Sequence, residues 1–391
     1  MSKQEFSSNV MADSEHTDVR DCVEAGASRV LGRRSFLAAV GLAGVAVVPG
    51  SALLSSQAFA NSSSITKGDV AILRMLAAAE LIEADLWQQY AELGGVNGGN
   101  PAYMAALTNI DGDMNTYISL NNNDEQSHAA FLNAYLRSKG ADPVDLDEFR
   151  TLPSSKATGA KQRGRLTSLT ALNVDTSWYT RYRSPHNPDF GAKFPQAIKI
   201  QKEPAIPISD ADTPPNMNAP LPAQTPAQRR MQVIACTAAF HFAYIEQGGS
   251  SLYATLAEKV SNLEVLRIVT SIGGSEAMHF ATWQDDAGNA AADPIAPVTD
   301  PVTGLTIPNL NVNPGGPLFQ TNLIFPHPCE FISPHLPRCA IVRPTLDPKA
   351  GGVATIKSFT ADRLFEGQSA KFFRTVNRIA KAADEAQRQA G

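Results

Sequence analysis

Cysteine is scarce, and the four present are scattered at 22, 236, 329 and 339. That number and spacing exclude a small disulfide-built scaffold. Charge is modest, at 18% of residues with a formal net charge of -5, and no basic stripe interleaved with aromatics occurs. Nucleic acid is therefore not an expected partner. Past residue 60 no apolar run approaches the roughly 20 residues that cross a bilayer. What is plentiful is hydrophobic content, 43% of a 391-residue chain, enough to bury a sizeable core. Glycine and proline are concentrated in certain segments, and those segments mark the boundaries.

The first 60 residues resemble a twin-arginine export signal. Gly32-Arg33-Arg34-Ser35-Phe36-Leu37 precedes an apolar run over 38–54, and Ala58-Phe59-Ala60 supplies a small-x-small cleavage site. The resemblance implies export in the folded state through the twin-arginine translocase, cleavage after Ala60, and a periplasmic or secreted mature protein. An uncleaved anchor is the alternative. Pro49 and Gly50 break the run and weaken that reading. Cys22 falls in this presequence.

In the mature part, two copies of one pattern stand out: Glu125-Gln-Ser-His128 and Glu276-Ala-Met-His279. Residues three apart on a helix share a face, so each copy aims a carboxylate and an imidazole the same way. An earlier apolar stripe carries Glu80 before the first copy and Glu246 before the second. The periodicity predicts helices over about 67–93, 113–139, 226 to a turn near Lys259, and 261–288. Thr225-Pro226 reads as an N-cap and first turn, and Ser261-Asn-Leu-Glu264 as a capping box. Gly248-Gly249 inside the third helix predicts a kink or a close backbone approach. Residues 140–225 are rich in Pro, Ser, Thr and Asn and read as a crossover returning along the bundle. Residues 291–391 read as a Pro/Gly-rich extension ending in an amphipathic helix over 361–389. That helix docks on the bundle or serves an oligomer contact.

Glu80, Glu125, Glu246 and Glu276 sit among apolar neighbours, where four ionised carboxylates are costly without cations. Two Glu and two Glu-x-x-His from four helices form the ligand set of a carboxylate-bridged dimetal site. The expected ligands are Glu80, Glu125, His128, Glu246, Glu276 and His279, and the expected cofactor is two Fe or Mn ions. Glu83, one turn on from Glu80, is the alternative to it. Asn121, one turn before Glu125, is either a hydrogen-bond partner of the ligands or a polar residue near the helix entrance. Trp87 and Tyr253, each seven residues after a ligand Glu, read as core, with redox relays as the alternative, and this repeat predicts a pseudo-twofold relation between the helix pairs. Cys236 reads as core. His241 is out of phase with Glu246 and is expected in a surface or crossover contact. Cys329 and Cys339 favour a disulfide in an oxidising compartment; with His327 and His335 they also form a set that zinc or copper would accept. His186 carries no assigned role.

The ligand pattern, with the run from Ala79 to Trp87, resembles the ferritin-like superfamily, and within it the ferritin-like domain proteins related to plant desiccation and fungal stress proteins. The resemblance covers about 67–139 and 226–288. It implies an all-α, ferritin-like four-helix bundle holding a di-iron or di-manganese centre, with a role in oxidative or drying stress. The expected function is an exported oxidoreductase acting on peroxide or oxygen. The alternative is a non-catalytic, metal-bound stress-protective protein. The long crossover and Pro-rich tail argue against assembly into a storage shell.

Overall fold

Four long helices form because long apolar stripes are closed by strong end signals. In the computed structural model α1 spans Lys67–Gly94, α3 Met114–Ser138, α5 Pro226–Ala257 and α6 Leu263–Ala290. Helix α1 packs along α3, and α5 along α6. The structure describes residues 65–183, 194–220, 223–310, 335 and 350–389, all within the compact unit Ser62–Gly391. The proposed export signal, His186, His327, Cys329 and Cys339 lie outside the described residues.

Helix α1 begins with a capping box between Thr66 and Asp69, and α5 with one between Thr225 and Gln228 followed by Pro226. Each cap contributes about 1 kcal/mol. Asp69 does more than cap. Its second oxygen accepts from the backbone N–H of Ser261 at 2.9 Å, tying the start of α1 to the α5–α6 turn. The N-cap of α6 is Asn262, whose Oδ1 accepts from Glu264 and Val265 N–H, in place of the expected Ser261 box. A short helix α2, Pro101–Ile110, precedes α3 and packs on α5; Asn100 caps it and Asp111 ends it.

The 140–225 segment is built rather than loose. Its described residues include the short helix α4, Ser177–Arg183, 3-10 turns at Asp147–Phe149 and Asp210–Asp212, and isolated β-bridges. Several of its apolar residues, among them Leu166, Leu169, Leu172 and Trp178, are fully buried. Trp178 and Tyr182 meet Phe280 of α6 edge-on, at 6.0 and 4.8 Å between ring centroids. Asp85 of α1 anchors the segment, accepting from Leu166 N, Thr167 N and Thr167 Oγ1 at 3.0, 2.9 and 2.7 Å. A buried acid on the α1 stripe thus serves the crossover, with Arg150 as its cation.

After α6 come a two-residue hairpin, β1 Val298–Thr299 with β2 Thr306–Ile307, and then two C-terminal helices. The helix expected over 361–389 is shorter, with α8 over Ala370–Asp384, and a separate helix that was not expected, α7 over Gly352–Ala361, precedes it. The turn between them has positive φ at Arg363 and Gly367, which no continuous helix accommodates. Its Asp362 and Phe365 point inward. Helix α8 docks on α1 through Phe372, Val376, Ile379 and Ala383. Among the described residues no helix is long and apolar enough to cross a membrane.

Candidate metal centre

The stripes of α1, α3, α5 and α6 converge on one buried cluster. Glu80, Glu125, Glu246 and Glu276 are each at most 1% exposed. Their donor atoms fall into two groups whose members lie within 4.8 Å of one another: Glu80, Glu125, His128 and Glu276, and Glu125, Glu246, Glu276 and His279. All six expected ligand residues are therefore brought together. Glu83, though buried, belongs to neither group, so the geometry selects Glu80 between the two.

Glu125 and Glu276 are shared by both groups. The two oxygens of Glu125 face opposite ways: Oε2 lies 3.3 Å from His128 Nδ1 and Oε1 3.1 Å from His279 Nδ1. That is the posture of a bridging carboxylate. Glu80 lies 3.4 Å from His128, and Glu246 3.2 Å from His279, each on its own side. The imidazole centroids are 6.2 Å apart. Glycine at 249 makes room for this. A Cβ there would fall on Glu276 Oε2, so the Gly248-Gly249 pair gives close approach within an unbroken helix.

A second layer of side chains holds the acids. Asn121 Nδ2 donates to Glu125 Oε1 at 2.8 Å and to Glu246 Oε1 at 2.9 Å, while its Oδ1 accepts from Trp283 Nε1 at 2.7 Å. Of its two sequence readings, the structure selects the ligand partner. Tyr253 donates a short hydrogen bond to Glu80, so it touches the site rather than merely filling core. Trp87 is core, stacked on Trp283. The repeat of the two helix pairs therefore holds for the acids but not for these aromatics. Asp124 was not anticipated. It sits 3.1 Å from His279 Nε2, keeping a proton there and leaving Nδ1 free to coordinate. Its adjacency to Glu125 was the available signal, but the contact crosses from α3 to α6. His241 corrects an expectation. It is fully buried, between Tyr90 and Asp362, and not at the surface.

The electrostatics are those of a site seeking cations. Burial, then the charges of Glu125 and Glu80, hold the Glu276 carboxyl well above its ordinary range. Burial followed by Glu246 and Glu80 pushes Glu125 up to about 8. Glu83 is raised by burial and by Glu125. Burial opposes charge on His128, yet the hydrogen bond to Glu125 and the Glu80 carboxylate 3.4 Å away win and carry it to about 10. His279 is raised against burial by Glu246 and Asp124. Glu80 Oε2 and both oxygens of Glu276 accept no hydrogen bond. Orphaned buried carboxylate oxygens are costly unless a cation takes them. Four hard oxygen donors and two imidazoles suit a pair of first-row dications.

The fold and this cluster define a four-helix bundle protein with paired carboxylate–histidine sites in its core. The chain belongs to the ferritin-like domain family, which it matches over residues 68–289. No curated protein and no solved structure matches it.

Proposed function

We propose that this is an exported metalloprotein that binds two iron or manganese ions and turns over peroxide or oxygen in stress protection. The observation that supports it most is the straddling posture of Glu125 between the two histidines. When bound, the metal pair supplies one-electron redox steps to a small oxidant. The chain's residues do the rest. Glu125 and Glu276, which belong to both donor groups, would be shared by the two ions, and His128 with Glu80, and His279 with Glu246, would complete each side. Asp124 retains the proton on His279 Nε2. The side chains of His128 and His279 are 12% and 11% exposed, so a molecule the size of peroxide reaches the imidazole edge from solvent. The resemblance of the 79–87 run to desiccation and stress proteins fits such a role. Arg33-Arg34 and the Ala58-Phe59-Ala60 site support export to the periplasm or beyond.

Protein from the native exported compartment is expected to hold about two Fe or Mn per chain and to consume peroxide. Glu276→Ala should lose at least one ion and the turnover. Two ions with no peroxide or oxygen chemistry would reduce the assignment to a structural cross-link, which a large metal-dependent rise in melting temperature would then describe. Mature protein starting at Asn61 and lost on Arg33→Lys/Arg34→Lys substitution tests the export route.

A further inference from the structure

A line of aromatic side chains leaves the acid cluster and ends on a hydrogen-bonded triad that the proposed chemistry does not use. Trp283 donates to Asn121, which holds Glu125 and Glu246. Trp283 stacks on Trp87 at 5.2 Å between centroids and 24° between planes. Trp87 lies 5.7 Å from Tyr90, and Phe242 packs against all three at 4.8, 4.5 and 4.6 Å. The Tyr90 hydroxyl is 2.8 Å from His241 Nδ1, and His241 Nε2 is 3.0 Å from Asp362 Oδ2. Tyr90 and His241 are fully buried, and Asp362 is 1% exposed.

The proton positions follow from the partners. Burial raises Asp362, while the His241 charge and hydrogen bond lower it, leaving it at about 6 and ionised at neutral pH. In the tautomer in which Asp362 Oδ2 accepts from His241 Nε2–H, Nδ1 is a lone pair placed to accept from the Tyr90 hydroxyl. Asp362 thus orients a base at the phenol, as the acid does in a nucleophile–histidine–acid triad. No solvent or backbone carbonyl is needed to receive that proton.

We propose that Tyr90 is a one-electron redox site, coupled to the acid cluster through Trp87 and Trp283, whose proton passes to His241 when it is oxidised. In the step the Tyr90 O–H bond breaks, the proton moves to His241 Nδ1, and Asp362 stabilises the imidazolium. The electron moves over Trp87 and Trp283 toward the site. The terminal oxidant is a peroxide, which takes up two electrons and two solvent protons as its O–O bond breaks to two waters. Tyr90 supplies one electron and the loaded site the other. Rings in van der Waals contact offer a through-space path between cluster and triad. A purely structural role, pinning the α7–α8 turn to the bundle, predicts no radical.

The oxidant, though not the triad, rests on the reading of the site as a peroxide-handling centre, so two routes to oxidation are needed. In the first, metal-loaded protein is mixed with hydrogen peroxide, frozen rapidly and examined by electron paramagnetic resonance. In the second, metal-free protein is photo-ionised at tryptophan by an ultraviolet flash, and the passage of tryptophyl to tyrosyl absorption is followed. A tyrosyl signal that narrows with ring-deuterated tyrosine is expected by both routes. It should vanish in Tyr90→Phe and fall at least tenfold in His241→Gln. The flash arm and isotope label use wild-type protein and stand even if a variant fails to fold. A tyrosyl signal by flash alone supports the relay and counts against the peroxide reading. No tyrosyl signal by either route, or one that survives Tyr90→Phe, overturns the proposal.

Discussion

Replacing Gly249 by alanine separates the metal site from the fold that carries it. An added Cβ at 249 would sit on Glu276 Oε2 and only 3.2 Å from its carboxyl carbon. Ordinary carbon contacts begin near about 3.5 Å. The neighbour that must yield is the tip of a flexible side chain, so the carboxylate swings away at little cost to the bundle. Gly249 lies within an unbroken helix, where alanine is favoured by about 1 kcal/mol. Metal–oxygen bonds, by contrast, tolerate only about 0.2 Å of misplacement. Glu276 belongs to both donor groups, so one displaced carboxylate disturbs both positions. Metal-free Gly249→Ala should therefore melt at or slightly above the wild type. Its affinity for Fe(II) or Mn(II), by titration calorimetry with elemental analysis after gel filtration, should fall by at least about 10- to 100-fold. Wild-type affinity and stoichiometry would refute the steric argument. So would a metal-free variant destabilised by several kcal/mol, because the shift would then not be confined to Glu276.

Proton linkage gives a second test. Glu125 is raised from 4.5 to about 8 in the folded chain, so between those values the native state binds more protons than the unfolded one. Metal-free stability should then fall as pH rises from about 5 to 8, by about 1.4 kcal/mol per unit for each retained proton. His128, raised from 6.5 to about 10, acts in the same direction: its stabilisation is complete below 6.5 and is lost as pH rises through about 10. Denaturant titrations should show a shallower slope in Glu125→Gln, and metal binding should release protons and raise the melting temperature more at pH 8 than at pH 5.5; equal slopes would count against the linkage. Asn121→Leu strands the Trp283 N–H and frees both acids, with an expected cost of about 1–3 kcal/mol and a 10- to 100-fold loss of metal affinity. Asp69→Ala should cost about 2 kcal/mol in urea titrations without changing metal content, since Asp69 serves only the α1 cap and the α5–α6 turn.

Some of this was legible because it is local. A three-residue offset places Glu125 with His128, and Glu276 with His279, on one helix face whatever lies opposite. Thr225-Pro226 announces the start of α5 within a single turn, the threonine as cap and the proline with its φ already set for the helix. Other features depend on partners remote in the chain. The five-residue offset of His241 from Glu246 told its face but not its depth, because Tyr90 and Asp362 lie 151 and 121 residues away. The break between α7 and α8 falls within an amphipathic stretch. It is made by a turn that buries Asp362 against His241 of α5, far upstream, and Phe365 between Phe359 and Phe372.

The sequence by itself determined the four helices, the acids on their inner stripes and the doubled Glu-x-x-His, because periodicity and end-capping act within a few residues. Only the tertiary structure decided that Glu80 rather than Glu83 joins the cluster. It also decided that Glu125 straddles the two histidines, and that Gly249, Asn121, Asp124 and Tyr253 shape the site. Those choices depend on distances of a few ångströms between different helices, which are fixed when the bundle packs.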